Sequence, residues 1–171
     1  MSEQDSAMRS RLVSWQDPLP AARAAMSLSG LEYMEKLLKG EFPPPPIAAS
    51  LGIELLEVGP GRVVFGVVPA EYHYNPIGIV HGGLASTILD SALGCAIHTT
   101  LPAGTGYTTL ELHVNFIRAL TNKTGLVRCE GKVVHSGKQA AMAEARLVDE
   151  AGKLFAHGTT TCLIFSAKPS A

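Results

Sequence analysis

Hydrophobic and polar positions change period several times along the chain. Ser29-Gly30-Leu31-Glu32 has the form of a capping box, and Leu31, Met34, Leu37 and Leu38 follow at helical spacing before Gly40, which predicts a short amphipathic helix with a glycine stop. Residues 1–28, with Trp15, Pro18 and Pro20, carry mixed signals and read as loop or weak helix. Residues 43–46 are all proline; they cannot continue a helix and favour an extended linker. Beyond them, residues 51–58 and 62–68 have strand character on either side of the turn Gly59-Pro60-Gly61, a first hairpin. Residues 82–99 then become almost continuously apolar, with Leu84, Ile88, Leu89, Ala92, Cys95 and Ala96 on one stripe and Pro102 beyond the end. This is a buried helix. Residues 107–117, 125–135, 139–149 and 153–165 return to Val, Thr, Leu and Phe, separated by Asn122-Lys123, Ser136-Gly137 and Glu150-Ala151-Gly152.

Two strands, one long helix and four strands define an α+β chain. A single apolar helix among about six strands buries its surface if a curved antiparallel sheet wraps around it. Short connections between the last four strands favour a meander, because parallel neighbours need crossover helices. The chain divides near the prolines into an N-terminal accessory helical segment with its linker, residues 1–46, and a main domain, residues 47–171. Gly104-Thr105-Gly106 lacks the third glycine of a dinucleotide loop, Gly137-Lys138 lacks P-loop spacing, and the Gly-x-Ser-x-Gly and His-Glu-x-x-His signatures are missing.

Composition changes this picture in two ways. Of 171 residues, 14 are Lys or Arg and 15 Asp or Glu, giving a net charge of -1 and 17% charged side chains against 46% hydrophobic ones. So few charges suit a surface partly covered by another copy of the chain, and the absence of a basic excess argues against nucleic acid as a partner. The N-terminus shows no signal-peptide core and the apolar stretch at residues 84–101 contains Asp90 and several hydroxyl residues, so neither secretion nor membrane insertion is expected. Cys95, Cys129 and Cys162 are far apart and odd in number, which offers no disulfide framework and leaves the cytoplasm as the expected compartment.

The chemistry concentrates in Asn75-Pro76-Ile77-Gly78-Ile79-Val80-His81-Gly82-Gly83-Leu84-Ala85-Ser86-Thr87-Ile88-Leu89-Asp90. Asp90 is the one formally charged side chain between His81 and Glu111, and a carboxylate in an apolar helix needs either a structural partner or a function. Gly82 and Gly83 open the same helix, where free N–H groups and the positive dipole end suit an oxyanion; a tight strand-to-helix entry is the structural alternative. Gly82 and Asp90 are about 12 Å apart along a helix rising 1.5 Å per residue. One carbonyl cannot touch both. If both act on one carbon, they come from different subunits of a two-fold dimer.

Asn75-x5-His81-Gly82-Gly83-x6-Asp90, supported by residues 108–116 and by Ser136-Gly137-Lys138, resembles the hotdog-fold thioesterases, close to the PaaI type within the 4-hydroxybenzoyl-CoA thioesterase superfamily. The resemblance covers residues 47–165 and implies the hotdog fold, a curved antiparallel sheet of about six strands around one central helix. It implies an acyl-CoA thioesterase acting as a homodimer or homotetramer, with Asp90 as general base or nucleophile and the Gly82 N–H on the thioester carbonyl. Asn75 would place water or substrate and Thr109, with Thr108 beside it, would assist the attacking water. Lys138 and Gly137 would lie near the nucleotide of coenzyme A. Where some relatives carry a hydroxyl one turn after the carboxylate, this chain has Gly94, a departure from the aromatic-specific branch.

The residues need no metal and no cofactor, since one carboxylate and preorganised N–H donors suffice for a reactive thioester. His81 either donates a hydrogen bond or orients the helix entry, His98 reads as a helix-end histidine, and Cys95 as core packing. Arg118 is expected to pair with Glu111 or to line an interface. Two alternatives stay open: a hotdog hydratase or dehydratase acting on enoyl thioesters, and a non-catalytic acyl-CoA-binding protein.

Overall fold

The structure, a computed structural model, describes residues 8–166; residues 1–7 and 167–171, at the outer ends of the two expected segments, lie outside the described residues. Helix α1 (Leu19–Ala25) follows Pro18 in the region read as loop or weak helix. Helix α2 (Gly30–Leu38) begins with the expected capping box: Ser29 Oγ accepts the Glu32 N–H at 3.3 Å and the Glu32 carboxylate accepts the Ser29 N–H at 2.9 Å. The proline linker is shorter than its composition suggests. Pro45 is extended, but Pro46 opens a short helix, α3 (Pro46–Leu51), closed by Gly52 at φ 66°. Proline at a first helical position loses nothing, because that N–H has no partner in the helix and the fixed φ is already helical.

Strands β1 (Ile53–Gly59) and β2 (Arg62–Val67) form the expected hairpin. A 3₁₀ turn at Glu71–His73 leads to helix α4 (Gly82–His98), and β3 (Thr105–Phe116), β4 (Val127–Ser136), β5 (Ala140–Asp149) and β6 (Leu154–Ser166) complete an antiparallel sheet ordered β1-β2-β4-β5-β6-β3. This is the hotdog architecture. The meander holds for β4, β5 and β6 only, because β3 pairs with β6 at the far edge. The connection at residues 117–126 crosses back: Phe155 O accepts the N–H groups of Ile117 and Arg118 at 2.8 and 3.1 Å, and Leu120 O accepts the Val80 N–H at 3.1 Å. A chain segment of that length exceeds an ordinary hairpin loop. Placing β3 at the far edge lets the sheet close over a second side of α4.

Closure requires near contact between sheet and helix. On β5, Ala141, Ala143, Ala145 and Leu147 point inward and alternate with exposed Ala140, Met142, Glu144 and Arg146. On β4, a Cβ at Gly131 would fall 2.3 Å from the Ala92 carbonyl oxygen of α4, so only glycine allows this approach. Leu84, Ile88, Leu89, Ala92, Leu93, Ala96 and Ile97 of α4 are buried around the helix. The N-terminal segment joins the same core: Met34 of α2 is 2% exposed within it, and α2 lies against β1. Its start is fastened to the far end of α4, where the Gly30 N–H donates to Leu101 O at 3.0 Å. Among the described residues no helix is long and apolar enough to cross a membrane.

A Cβ at Gly30 would lie 1.7 Å from the backbone oxygen of His98. In a free helix Gly→Ala gains about 1 kcal/mol, whereas forcing an atom into a filled contact costs about 1–3 kcal/mol. Gly30→Ala is therefore expected to lower the melting temperature by several degrees; a calorimetric scan showing a higher one would remove this contact from the account.

Candidate active site

The entry to α4 is built by side chains that organise backbone. Asn75 Oδ1 accepts the N–H groups of Ile77 and Ile79 at 3.1 and 3.2 Å, while its own N–H donates to Ile79 O at 2.8 Å. That tight turn, with Gly78 at φ 79°, delivers the chain to His81. His81 is the N-cap, extended at φ -63° and ψ 136°, and its Nδ1 accepts the Gly83 N–H at 2.8 Å. An accepting Nδ1 puts the ring proton of the neutral side chain on Nε2. A Cβ at Gly83 would stand 2.8 Å from that Nδ1, which accounts for the second glycine. Among the described residues, no acceptor is found for the Gly82 N–H, and Gly82 faces a cavity of about 370 Å³ shared with Asn75, Phe116, Arg118 and Phe155.

Asp90 is placed differently from the expectation of a carboxylate enclosed in apolar core. It is half-buried, on a helix face beside β3, the last strand of the sheet. Thr109, expected to assist an attacking water, is its hydrogen-bond partner: Thr109 Oγ1 donates to Asp90 Oδ1 at 3.0 Å. One carboxylate oxygen is thus held by a hydroxyl from the neighbouring strand. Cys95, one turn on, has its thiol pushed up to about 12 by burial, with the Asp90 charge adding a smaller push; it is core packing, as expected, and not a nucleophile.

The position of Gly94 is filled from outside the helix. A Cβ there would meet the Tyr107 ring at 2.9 Å and its hydroxyl oxygen at 3.2 Å. The phenol of β3 therefore occupies the space a side chain at position 94 would take. Burial keeps this phenol protonated by driving its pKa well up. His98, at the end of α4, lies between the rings of Tyr107 and Tyr33, tilted by 40° and 48° with centroids 5.4 and 5.7 Å away, and burial lowers its pKa, which favours the neutral ring. This ring series was not legible in sequence, although a bare glycine one turn from the carboxylate was its trace.

Two groups of expected site residues are brought together, and they are separate. Asn75, His81 and Gly82 gather at the start of α4; Asp90 and Thr109 pair at its middle. Lys138 and Gly137 join neither group within one chain. Their turn lies beside the opposite end of α4, where Thr100 Oγ1 and Ser136 Oγ are 3.0 Å apart, and Lys138 is exposed. Arg118 does not pair with Glu111, whose carboxylate accepts from Thr161 at 2.8 Å and contacts His113 at 3.3 Å. It lines the Gly82 cavity instead and donates to Leu154 O, a role sequence reasoning missed. No cluster of metal-ligating side chains occurs among the described residues.

The family model described as the thioesterase superfamily matches residues 77–156. A crystal structure of a phenylacetic acid degradation-related protein from Ralstonia eutropha JMP134 is 30% identical, with a TM-score of 0.69 over 77% of this chain and 98% of that one. This chain belongs to the thioesterase superfamily. As a superfamily member it also resembles human acyl-coenzyme A thioesterase 13, 29% identical over 110 residues, or 64% of this chain and 77% of the relative. The 1,4-dihydroxy-2-naphthoyl-CoA hydrolase of Listeria monocytogenes is 26% identical over 105 residues, 61% and 84% of the two chains. The E. coli PaaI protein of the phenylacetic acid degradation operon shares the fold, with a TM-score of 0.70 at 20% identity over 83% of this chain and 99% of its own. The expectation of an enzyme in the thioester hydrolase class agrees with the superfamily and with these names. The matched segment holds Gly82, Asp90, Thr109, Gly137 and Lys138, while α1 to α3, β1 and β2 lie outside it.

The fit of Tyr107 over Gly94 predicts a change of sign. Gly94→Ala in the wild-type background is expected to destabilise, despite the gain of about 1 kcal/mol that alanine brings to a helix interior. In a Tyr107→Leu background, which removes the contacting ring atoms, the same substitution is expected to stabilise. Denaturant titration of the four proteins checks this; equal effects in both backgrounds would show that the two positions do not meet.

Proposed function

We propose that the protein is an acyl-CoA thioesterase whose catalytic site is completed across a two-fold dimer, with Asp90 of one subunit facing the Gly82 N–H of the other. The observation that carries this reading is the separation of an unpartnered helix-entry N–H from a half-buried, hydroxyl-bound carboxylate on one and the same helix. The free outer edge of β3 supplies the means of joining them. An antiparallel pair formed by β3 with its own copy is two-fold symmetric, and a twofold near Leu112 and His113 sets Thr109 opposite Phe116 of the partner subunit. Phe116 packs at Gly82, where a Cβ would approach its ring at 3.2 Å. Thr109 carries Asp90. Two sites, each with one carboxylate and one N–H, follow from one pairing.

In the hydrolysis, Asp90 takes a proton from a water whose oxygen attacks the thioester carbonyl carbon, with Thr109 holding the carboxylate in place. The carbonyl π pair moves to oxygen, and the Gly82 N–H of the partner subunit stabilises the oxyanion. Collapse restores the carbonyl and breaks the C–S bond, and the proton passes to the departing thiolate, giving a free acid and coenzyme A. Attack by the carboxylate itself would form an anhydride before water enters and makes the same demand on Gly82. Asn75 shapes the turn through Oδ1 and lines the cavity; His81 holds the helix entry through Nδ1. No step draws on a metal or an organic cofactor. The same dimer brings the turn of Gly137 and Lys138 toward the side of Arg118 of the partner subunit, two cations suited to the phosphates of coenzyme A. The unbridged Cys95, Cys129 and Cys162 suit a cytoplasmic enzyme.

Proline is tolerated at position 82 on backbone grounds, since it is the first helical residue and His81 is already extended. Gly82→Pro thus deletes one N–H while keeping the helix, and is expected to lower kcat by about 10²–10³; Asp90→Asn is expected to remove most thiol release from acyl-CoA. Mixed dimers of the two inactive variants decide the arrangement. A composite site regenerates one intact centre per heterodimer and recovers activity, whereas sites confined to one chain stay inactive.

A further inference from the structure

A second cavity, of about 360 Å³, lies along the later half of α4. Ser91, Cys95 and Tyr107 form one wall; Ala25, Met34 and Leu37, from α1 and α2, form the other. We propose that this cavity receives the acyl group of the substrate, that α1 to α3 are its outer wall, and that it accepts uncharged hydrocarbon acyl groups and rejects those ending in a carboxylate. The proposal rests on the thioesterase reading and deepens it.

Position is the first argument. Ser91 follows Asp90 directly, and Tyr107 lies on the same face of β3 as Thr109, two residues away. The cavity therefore lies next to the Asp90–Thr109 pair. A thioester carbonyl held at Asp90 has two substituents to place: the sulfur goes toward the partner subunit and its basic mouth, and the acyl carbon toward this space. Lining is the second argument. The wall is predominantly aliphatic and aromatic, burial lowers the pKa of its histidine, His98, and among the described residues no lysine, arginine or carboxylate lines it. A terminal carboxylate would lose its hydration there with no cation in return. The size falls within the roughly 300–1,000 Å³ of ligand pockets.

The outer wall comes from outside the segment that the superfamily model matches, since Ala25, Met34 and Leu37 all precede it. The wall is also held firmly. Gly30 fixes the start of α2 to the end of α4, and the Tyr33 ring lies tilted against His98 with centroids 5.7 Å apart. Acyl preference is then set by side chains of α1 and α2, while the chemistry is set by α4 and β3.

The test is a set of kcat/KM values for acetyl-, butyryl-, hexanoyl-, octanoyl-, decanoyl-, phenylacetyl- and succinyl-CoA with wild type, Ala25→Phe and Leu37→Ala. For wild type, kcat/KM is expected to rise about fourfold for each methylene buried until the cavity is full, and succinyl-CoA is expected to be turned over at least tenfold less well than butyryl-CoA. Ala25→Phe fills space in the cavity from a short peripheral helix; it is expected to cut the best long-chain value tenfold or more and the acetyl value by much less, so that the ratio of long-chain to acetyl kcat/KM falls. Leu37→Ala should move the optimum to longer chains. Folded variants with the wild-type chain-length profile, or succinyl-CoA hydrolysed as fast as butyryl-CoA, would overturn the cavity assignment alone. Absence of turnover by wild type on every thioester would overturn the thioesterase reading and this inference with it.

Discussion

The fold depends on enclosing a helix that is apolar on nearly all sides. Helix α4 buries Leu84, Ile88, Leu89, Leu93 and Ile97 in different directions, so no single flat sheet can cover it, and the sheet has to curl. The curl succeeds because the sheet can come very near the helix backbone: Gly131 stands against the Ala92 carbonyl, and β5 presents alanines inward. Burial of such a helix is the largest favourable contribution available to a chain of this size. The far-edge placement of β3 and the crossing of residues 117–126 both follow from the same need for cover on a second side.

The same enclosure leaves chemistry at its margin. The sheet ends at β3, and on the α4 face beside that strand Asp90 remains half-buried and is bonded by Thr109. A carboxylate deep in the core would be costly to ionise; at the rim of the sheet it keeps access to water and substrate. At the helix start, the cap made by His81 consumes the Gly83 N–H and leaves that of Gly82 free. The straight rise of the helix holds these two groups apart. An edge strand with unpaired backbone groups is itself a site of association, so the strand that holds the carboxylate also supplies the means of joining it to a second copy's N–H.

The N-terminal helices add a layer without altering this core logic. Of these, α2 and α3 lie against β1, and α2 contributes Met34 to the interior and connects through Tyr33 to the His98 and Tyr107 rings. That contact extends from a segment outside the superfamily match to the immediate surroundings of Asp90, which is why a peripheral addition bears on what the site accepts.

The order of elements was legible in the sequence because each is decided by local chemistry. The capping box at Ser29, the Gly59-Pro60-Gly61 turn, the double glycine opening α4 and the alternation of β5 all act within a few residues of themselves. Asp90 and Thr109 were likewise visible, one as a charge without company and the other through the resemblance. What the sequence did not show depends on contacts between distant segments. The pairing of β3 with β6, the exposure of Asp90, the placing of Arg118 at the Gly82 cavity, the tyrosine over Gly94 and the helix opened by Pro46 were decided only when the sheet closed. Local propensity specifies an element; which strand lies beside which, and which side chain fills a neighbour's vacancy, is fixed by the requirement to cover one apolar helix on all sides.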